Sequence, residues 1–124
     1  MFIYTPNNNI VMNRGDTYEF DLTIADESSK SGRYELIEDD AIYLGIMDTH
    51  QPFEDALVKK KYTADDTDEM GNLTIVINPE DTLDLIPGKY YYMVKLKMDH
   101  LDDEGNKVEK VYTVINKTKF IICD

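Results

Sequence analysis

The sequence predicts an all-β domain, arranged as a two-layer antiparallel sandwich of about seven to nine strands with one short helical turn near residues 79–86. Short segments in which apolar and polar residues alternate recur along the chain, and turn residues separate them about every 8 to 15 positions. Only one segment has the residues expected of a helix. In a chain of 124 residues this pattern favours a sandwich, with a small barrel as the second choice.

Length and composition predict one folded domain that spans residues 1–124. A chain of this size can bury a core without covalent cross-links. The single cysteine, Cys123, has no partner in the chain, so an internal disulfide cannot contribute to stability. The 42% of apolar residues, with nine tyrosines and four phenylalanines, indicates a packed core despite the high acidic content.

The clearest predicted strand is 17–24, in which apolar and polar side chains alternate at every position. Segment 41–48 is almost entirely apolar and is predicted to be an interior strand. Segment 56–63 carries three consecutive lysines and is predicted to be an edge strand, where charge discourages pairing with other chains. The remaining predicted strands are 73–78, 89–98, 107–115 and 118–123, with a short one near 34–37 in the polar loop 27–40 as an option.

The predicted helical turn begins at Pro79 and is followed directly by two acidic residues. Proline suits the first helical position, and acidic side chains suit the positive end of a helix dipole. Pro87 and Gly88 end the segment, so only one or two turns are expected.

Charge restricts the classes of partner. Twenty-five acidic residues against thirteen basic ones give a formal net charge of −12, which opposes approach to a phosphate backbone. No nucleic acid partner is therefore expected. The apolar runs are too short to cross a membrane, and the first residues lack the features of an export signal, so neither a membrane partner nor an export signal is expected.

The tripeptide Arg14-Gly15-Asp16 is a known adhesion signal, but it lies directly before the predicted strand 17–24. Glycine permits a tight bend there, and the aspartate can accept hydrogen bonds from backbone amides in that bend. We therefore expect the tripeptide to form the turn that enters the strand, with adhesion as the alternative.

Two acidic segments, 65–72 and 100–106, invite comparison with a calcium-binding loop. The match fails because Met70 would occupy the fifth ligand position and Ile77 the twelfth. Both segments fit solvated hairpin loops, so no metal is expected.

No catalytic set is evident either. The only histidines, His50 and His100, lie in polar loops, and Ser28, Ser29 and Ser31 lie together in a loop without a histidine near them in sequence. We expect a protein that is not an enzyme and needs no cofactor.

Strand 89–98 supplies the candidate interface. If Tyr90 points inward, alternation turns Tyr91 outward beside Met93, with Lys95 next along the same face. Tyrosine and methionine are enriched at protein interfaces, so these three outward residues are predicted to contact another subunit. An ordinary half-covered sheet face is the default interpretation of this pattern, and the edge segment 56–62 is the other candidate contact.

The segment before that strand resembles the turn into strand F of immunoglobulin-like domains, with Asp81, Gly88 and Tyr90 at the acid, glycine and corner-tyrosine positions. The resemblance implies that the Tyr90 hydroxyl bonds to the backbone upstream. Tyr92 stands where antibody domains have a cysteine, and the chain has no tryptophan, so a disulfide core of the antibody type is excluded.

The wider layout, over residues 10–122, resembles small phage and prophage proteins with an immunoglobulin-like fold. The N-terminal module of phage baseplate upper proteins is the named family that is most similar. The segments that carry the resemblance are "RGDTYEFDLTI" (14–24), "AIYLGIMD" (41–48), "GNLTIVINPEDTLDLIPGKYYYMVKLK" (71–97) and "VYTVINKTKFII" (111–122).

This resemblance implies a non-enzymatic virion structural protein of the tail or baseplate, which docks to itself or to other virion proteins. The implied location is the virion, assembled in the bacterial host cytoplasm, whose reducing conditions fit a lone cysteine. The chain ends soon after the last predicted strand, so a second, receptor-side module is expected to be missing. A carbohydrate-binding or adhesion module is the alternative, because sandwiches often build sugar sites from tyrosines and carboxylates.

Overall fold

A computed structural model describes residues 2–3, 9–26, 30, 32–101 and 103–124, with the side chains of residues 2, 3 and 100 left aside. The chain is all-β, with one short α-helix and two 3-10 turns among these residues. The strands are β1 (Phe2–Ile3), β2 (Ile10–Asn13), β3 (Tyr18–Leu22), β4 (Ile24–Asp26), β5 (Arg33–Tyr34), β6 (Asp40–Met47), β7 (Val58–Thr63), β8 (Leu73–Ile77), β9 (Gly88–Leu101) and β10 (Lys107–Cys123).

The described strands form three sheets. The largest has five strands in the order β2–β10–β9–β6–β7, the second pairs β3 with β8, and the third has the order β1–β4–β5. All pairs are antiparallel except β2 with β10, which run parallel. The expectation of a purely antiparallel arrangement is therefore wrong at this edge, and the large sheet is mixed.

One core joins the five-stranded sheet to the β3–β8 pair. The Phe20 ring of β3 lies 6.2 Å from the Tyr92 ring of β9, centroid to centroid, and the Phe120 ring of β10 continues this aromatic contact at 6.4 Å. The most deeply buried side chains come from both sheets: Ile42, Leu44, Ile46, Ile75, Ile77, Val94, Leu96, Phe120 and Ile122. Burial of these apolar side chains is the main stabilising contribution to the fold.

The alternation predicted for 17–24 is confirmed, because its apolar positions are buried or half-buried and its polar positions are exposed. The strand is interrupted at Thr23, which separates β3 from β4. The prediction that 56–63 is an edge strand is also confirmed, since β7 pairs only with β6 in the described sheet.

Strands 107–115 and 118–123 were predicted as two elements, and this is wrong: β10 runs continuously along β9. Register shifts between Thr113 and Thr118 absorb the intervening residues. Val114 and Ile115 are both buried although they are adjacent, as expected where a bulge breaks the alternation. Within the irregularity the Thr118 hydroxyl donates to the Asn116 carbonyl oxygen at 2.7 Å.

The α-helix α1 covers Pro79–Leu83, within the predicted 79–86. A capping box begins it, in which the side chains of Asn78 and Asp81 accept hydrogen bonds from each other's backbone N–H groups. The two 3-10 turns, Phe53–Asp55 and Ala64–Asp66, were not predicted. Across the described residues, no helix combines the length and apolar character that a membrane crossing needs.

Candidate interaction surface

The corner before β9 holds the chain where it passes from the β3–β8 sheet to the five-stranded sheet. The Tyr90 hydroxyl donates a hydrogen bond to the Ile86 carbonyl oxygen at 2.6 Å, which is the upstream backbone bond that the resemblance implies. Tyr90 is 9% exposed, so its ring contributes to the core while its hydroxyl fixes the corner. Gly88 has a φ of 155°, a conformation that side chains disfavour.

Asp81, the acidic residue of the same predicted corner, binds Asn78 and Lys60. Its carboxylate accepts the Asn78 N–H at 2.7 Å and lies 2.6 Å from the Lys60 ammonium of β7. The side chains of Lys60 and Asp81 are only 15% and 17% exposed, so little water screens the pair. The middle lysine of the edge strand thus ties β7 to α1 and points inward.

The Arg14-Gly15-Asp16 tripeptide is a turn that is fixed to the rest of the chain. The Gly15 N–H donates to the hydroxyl of Thr82, a fully buried residue of α1, at 2.9 Å, and Gly15 has a φ of 82°. The Arg14 guanidinium lies 2.9 Å from the Asp124 carboxylate. These contacts support the strand-entry interpretation, because an adhesion signal needs an accessible and mobile loop.

The outward face of the five-stranded sheet carries the predicted interface residues. Cross-strand partners point to the same side of a sheet, so Tyr91 shares its face with Met47 and Lys119, and Lys95 shares it with Tyr43. We call this surface the lysine–aromatic face. It consists of the rings Tyr43, Phe53 and Tyr91, with Met93, and the lysines 59, 61, 89, 95, 97, 117 and 119.

Each of the three rings on this face has a lysine ammonium near it. The shortest distance from ammonium nitrogen to ring centroid is 4.6 Å, for Lys117 over Tyr91. Lys95 lies 4.9 Å from Phe53, and Lys61 lies 5.8 Å from Tyr43. Such pairs stabilise by about 0.5–1 kcal/mol at exposed sites and more once water is excluded. The face is therefore both aromatic and cationic.

Phe53 covers the middle of the face because β6 has a glycine there. A Cβ at Gly45 would lie 2.7 Å from the Phe53 Cε2 atom, so any side chain would displace the ring. The first 3-10 turn places Phe53 over the sheet at this point. Neither Phe53 nor Lys117 was predicted as part of the surface, although a lone glycine in an apolar strand can indicate such a close approach.

Tyr91, Met93 and Lys95 do lie on one outward face, and each is half-buried. Their surroundings include contacts that alternation along β9 does not predict. Lys117 and Lys89 both lie against the Tyr91 ring, the latter at 5.5 Å. The sequence could not show this, since Lys117 is distant from Tyr91 along the chain and reaches it only through the β9–β10 pairing.

Charge is unevenly distributed along the chain. Residues 15–26 contain four acidic and no basic residues, and residues 62–88 contain seven acidic and no basic residues. These segments include β3, β8 and α1, whereas lysines dominate the outward face of the five-stranded sheet. The molecule therefore has a basic face despite its net charge of −12. The electrostatic potential at that face, and not the net charge, determines which partners the face attracts.

One lysine of the face is paired within the chain. The Lys97 ammonium lies 3.4 Å from the Glu109 carboxylate, and this carboxylate, with Asp99, raises the pKa of Lys97. The basic character of the face is therefore concentrated toward Tyr91 and Met93.

A groove of about 610 Å³ lies at the Lys97 end of the face. Its lining includes Tyr43 and Lys61 together with Asp39, Asp40 and Asp99. Asp39 has a φ of 72°, in the left-handed region that aspartate tolerates better than most residues. The groove therefore offers an aromatic ring with carboxylate and ammonium groups around it.

Beside the groove, Asp40 is only 3% exposed and accepts hydrogen bonds from the Tyr34 hydroxyl and the Ile37 N–H. Burial, together with the neighbouring Asp40 carboxylate, raises the pKa of the Tyr34 hydroxyl. The hydroxyl thus remains protonated and serves as a donor, which suits a structural contact better than proton transfer.

In the acidic segment 65–72, which was compared with a calcium-binding loop, the Asp68 carboxylate already accepts hydrogen bonds from the chain itself. Asp68 accepts hydrogen bonds from the backbone N–H groups of Asn72 and Met70, at 2.8 and 2.9 Å, and these bonds lower the pKa of Asp68. Within the described ranges, no group of three or more histidine, cysteine or acidic residues is placed to hold a metal ion.

The residues weighed for catalysis do not form a described site. The backbone N–H of His50 donates to the Asp48 carboxylate in a turn. Ser28, Ser29 and Ser31 lie outside the described residues, as does the side chain of His100.

No protein-family model matches the chain, and neither does any curated protein. Function therefore has to be inferred from the contacts and charges of the described residues, together with the resemblance of the strand and turn segments.

Proposed function

We propose that this protein is an immunoglobulin-like structural module of a phage or prophage particle, associated with the tail or baseplate, which acts by docking to other proteins. It performs no catalysis in this proposal. The observation that carries the docking role is the lysine–aromatic face, a half-exposed layer of three rings and their lysines on one side of the molecule.

Strand order supports the immunoglobulin-like part of the proposal. The neighbours β10–β9–β6–β7 follow the order G–F–C–C′ of a variable-type immunoglobulin sheet. The β3–β8 pair matches the adjacent strands B and E of the opposing sheet. The hydrogen bond from Tyr90 to Ile86 occupies the place of the tyrosine corner at the start of strand F.

The phage part of the proposal depends on the resemblance of the strand and turn segments to baseplate upper proteins. A virion protein works through contacts with neighbouring subunits, and these require a surface with desolvated aromatic anchors. Tyrosine is among the residues that most often dominate binding energy at such surfaces. Tyr91, with two lysine ammonium groups near its ring, is the expected centre of the contact.

Detection of the chain in particles tests this proposal. Particles purified from a strain that carries the gene should contain the protein at a constant copy number, as measured by quantitative mass spectrometry. A protein that is expressed in these cells but absent from the particles would contradict the virion role.

Variants then locate the contact. Tyr91→Glu should reduce incorporation at least tenfold and leave circular dichroism and the melting temperature nearly unchanged, because the side chain is only half-buried. Leu101→Glu is the matched control, since it places the same charge at a 68% exposed position at the end of the β9–β10 hairpin. Equal incorporation of both variants would show that the contact lies elsewhere.

The groove favours carbohydrate binding as a second candidate function. It combines the Tyr43 ring with carboxylates, and aromatic stacking with carboxylate hydrogen bonds is a common way to hold a sugar. A glycan array should then show binding that Tyr43→Ala abolishes. An array without reproducible hits would remove this candidate.

A further inference from the structure

We infer that the lysine–aromatic face of one copy docks on the acidic outward face of the β3–β8 sheet of a second copy, in a head-to-tail contact. This inference rests on the proposed docking function and specifies its partner. The two faces belong to opposite layers of the molecule, because the inner faces of the sheets share the core. One copy can therefore use both faces at the same time.

The acidic face is defined by the outward positions of β3. Glu19 and Asp21 alternate with core residues and are exposed. The Asp21 carboxylate accepts a hydrogen bond from the Thr74 hydroxyl of β8 at 2.8 Å, which fixes its position on the sheet. No basic residue occurs in 15–26 or 73–77, so β3 and β8 themselves place no cation beside Glu19 and Asp21.

The lysine–aromatic face offers the complementary charge. Lys59 and Lys119 are exposed and lie on either side of the Tyr91–Met93 pair, since Lys119 is the cross-strand partner of Tyr91 and Lys59 is aligned with Met93 through β6. Opposite potentials on facing surfaces steer association and fix its register. The rings below the lysines supply the apolar area that such a contact needs.

The net charge of −12 does not prevent this contact at physiological salt. Repulsion between charges further apart than the Debye length, about 8 Å at 0.15 M salt, is largely screened. Charges that meet across the contact are closer than this and remain attractive. Association should therefore weaken as salt rises toward 1 M, where the screening length is about 3 Å.

Head-to-tail contacts have a consequence that two-fold symmetric ones lack. Each copy keeps one unused face after binding, so association continues until a ring closes or a filament forms. The wild-type protein should therefore form species larger than a dimer as its concentration rises. A two-fold contact between identical faces would stop at the dimer.

Two charge-reversed variants test the inference by sedimentation velocity. Lys59→Glu with Lys119→Glu disables the basic face and keeps the acidic one, and Glu19→Lys with Asp21→Lys does the opposite. Each variant alone should self-associate at least tenfold more weakly than the wild type. In an equimolar mixture the intact basic face of one variant meets the intact acidic face of the other, and the two reversed faces are also opposite in charge, so association should recover toward that of the wild type.

The matched control is Lys30→Glu with Lys110→Glu, which makes the same charge change at exposed positions outside the face. It should associate like the wild type. Circular dichroism of every variant establishes that a loss of association does not reflect unfolding, since all substituted side chains are exposed.

Several outcomes would overturn the inference. These are a wild type that stays monomeric, a mixture in which association does not recover, or association that survives reversal of the acidic face. A monomeric wild type that binds a single-stranded oligonucleotide through Lys59 and Lys119 would indicate a nucleic acid partner in place of a second copy. A monomer that is still incorporated into particles would remove this inference alone, whereas self-association without incorporation would remove the virion role alone.

Discussion

Both faces of strand β9 carry tyrosine, with opposite consequences. On the inner face, Tyr92 and Leu96 are 3% and 0% exposed and pack in the core. On the outer face, Tyr91 and Lys95 are half-buried and pack against lysines and Phe53. The difference is set by alternation along a single strand, so the core residues alternate with the residues that we propose for docking.

The largest expected effect comes from the inner face. Phe120→Ala should lower the free energy of unfolding by about 3–5 kcal/mol, because it leaves a cavity where a fully buried ring packs against Tyr92. Met93→Ala, on the outer face, should cost less than about 1 kcal/mol. Urea unfolding of both variants measures the difference, and similar losses would break the distinction between the faces.

Gly45→Ala is expected to have the second-largest effect on stability. The new Cβ would lie 2.7 Å from the Phe53 ring, so we expect a loss of about 1–3 kcal/mol from crowding. Combining it with Phe53→Ala should restore part of that loss, and a double-mutant cycle should give a coupling energy above about 0.5 kcal/mol. Strict additivity in thermal unfolding would show that Phe53 does not pack on Gly45.

Lys60→Met tests the same difference between faces on the edge strand β7, where the neighbouring lysines Lys59 and Lys60 point to opposite sides of the sheet. Loss of the ammonium leaves the Asp81 carboxylate, only 17% exposed, without the cation that lies 2.6 Å away. The expected cost is about 1–3 kcal/mol in denaturant unfolding, because the carboxylate loses one of its two partners. Lys59→Met is the control, and because Lys59 is exposed it should change stability by less than about 0.5 kcal/mol.

Tyr90→Phe tests the corner with the smallest change. The ring remains, and only the hydroxyl that donates to the Ile86 carbonyl oxygen is lost, so about 1 kcal/mol of stability should disappear. Tyr91→Phe, one residue away on the other face, should change unfolding by less than about 0.5 kcal/mol. Equal effects in chemical denaturation would argue against a special role for Tyr90.

The parts of the fold that follow from local alternation could be predicted from the sequence. Segment 17–24 has one apolar side chain at every second position, and such a segment can bury only one face. The helical turn could be found because Pro79 and the acids after it suit a helix start.

The parts that depend on long-range pairing could not be predicted. The four residues of β2 are too short for a clear pattern, and their parallel pairing with β10 joins distant segments. The continuous β10 was divided in two because Asn116 and Lys117 look like a turn, whereas the sheet accommodates them in a bulge.

Part of the candidate site could be predicted from alternation along one strand, and part could not. Alternation places Tyr91, Met93 and Lys95 together, since all three lie on one strand. Phe53 and Lys117 reach the face from a 3-10 turn and from a bulged strand, so no local pattern links them to it. The uneven distribution of charge was hidden in the same way, because the net charge averages over the whole chain.

The central claim is that the lysine–aromatic face is a contact surface between protein subunits. Cryo-electron microscopy of the particle, or of an assembly isolated from it, tests this most directly. The claim predicts that the Tyr91 and Phe53 rings are buried against a neighbouring subunit. A map in which all neighbours contact other surfaces, and these rings face solvent, would contradict it.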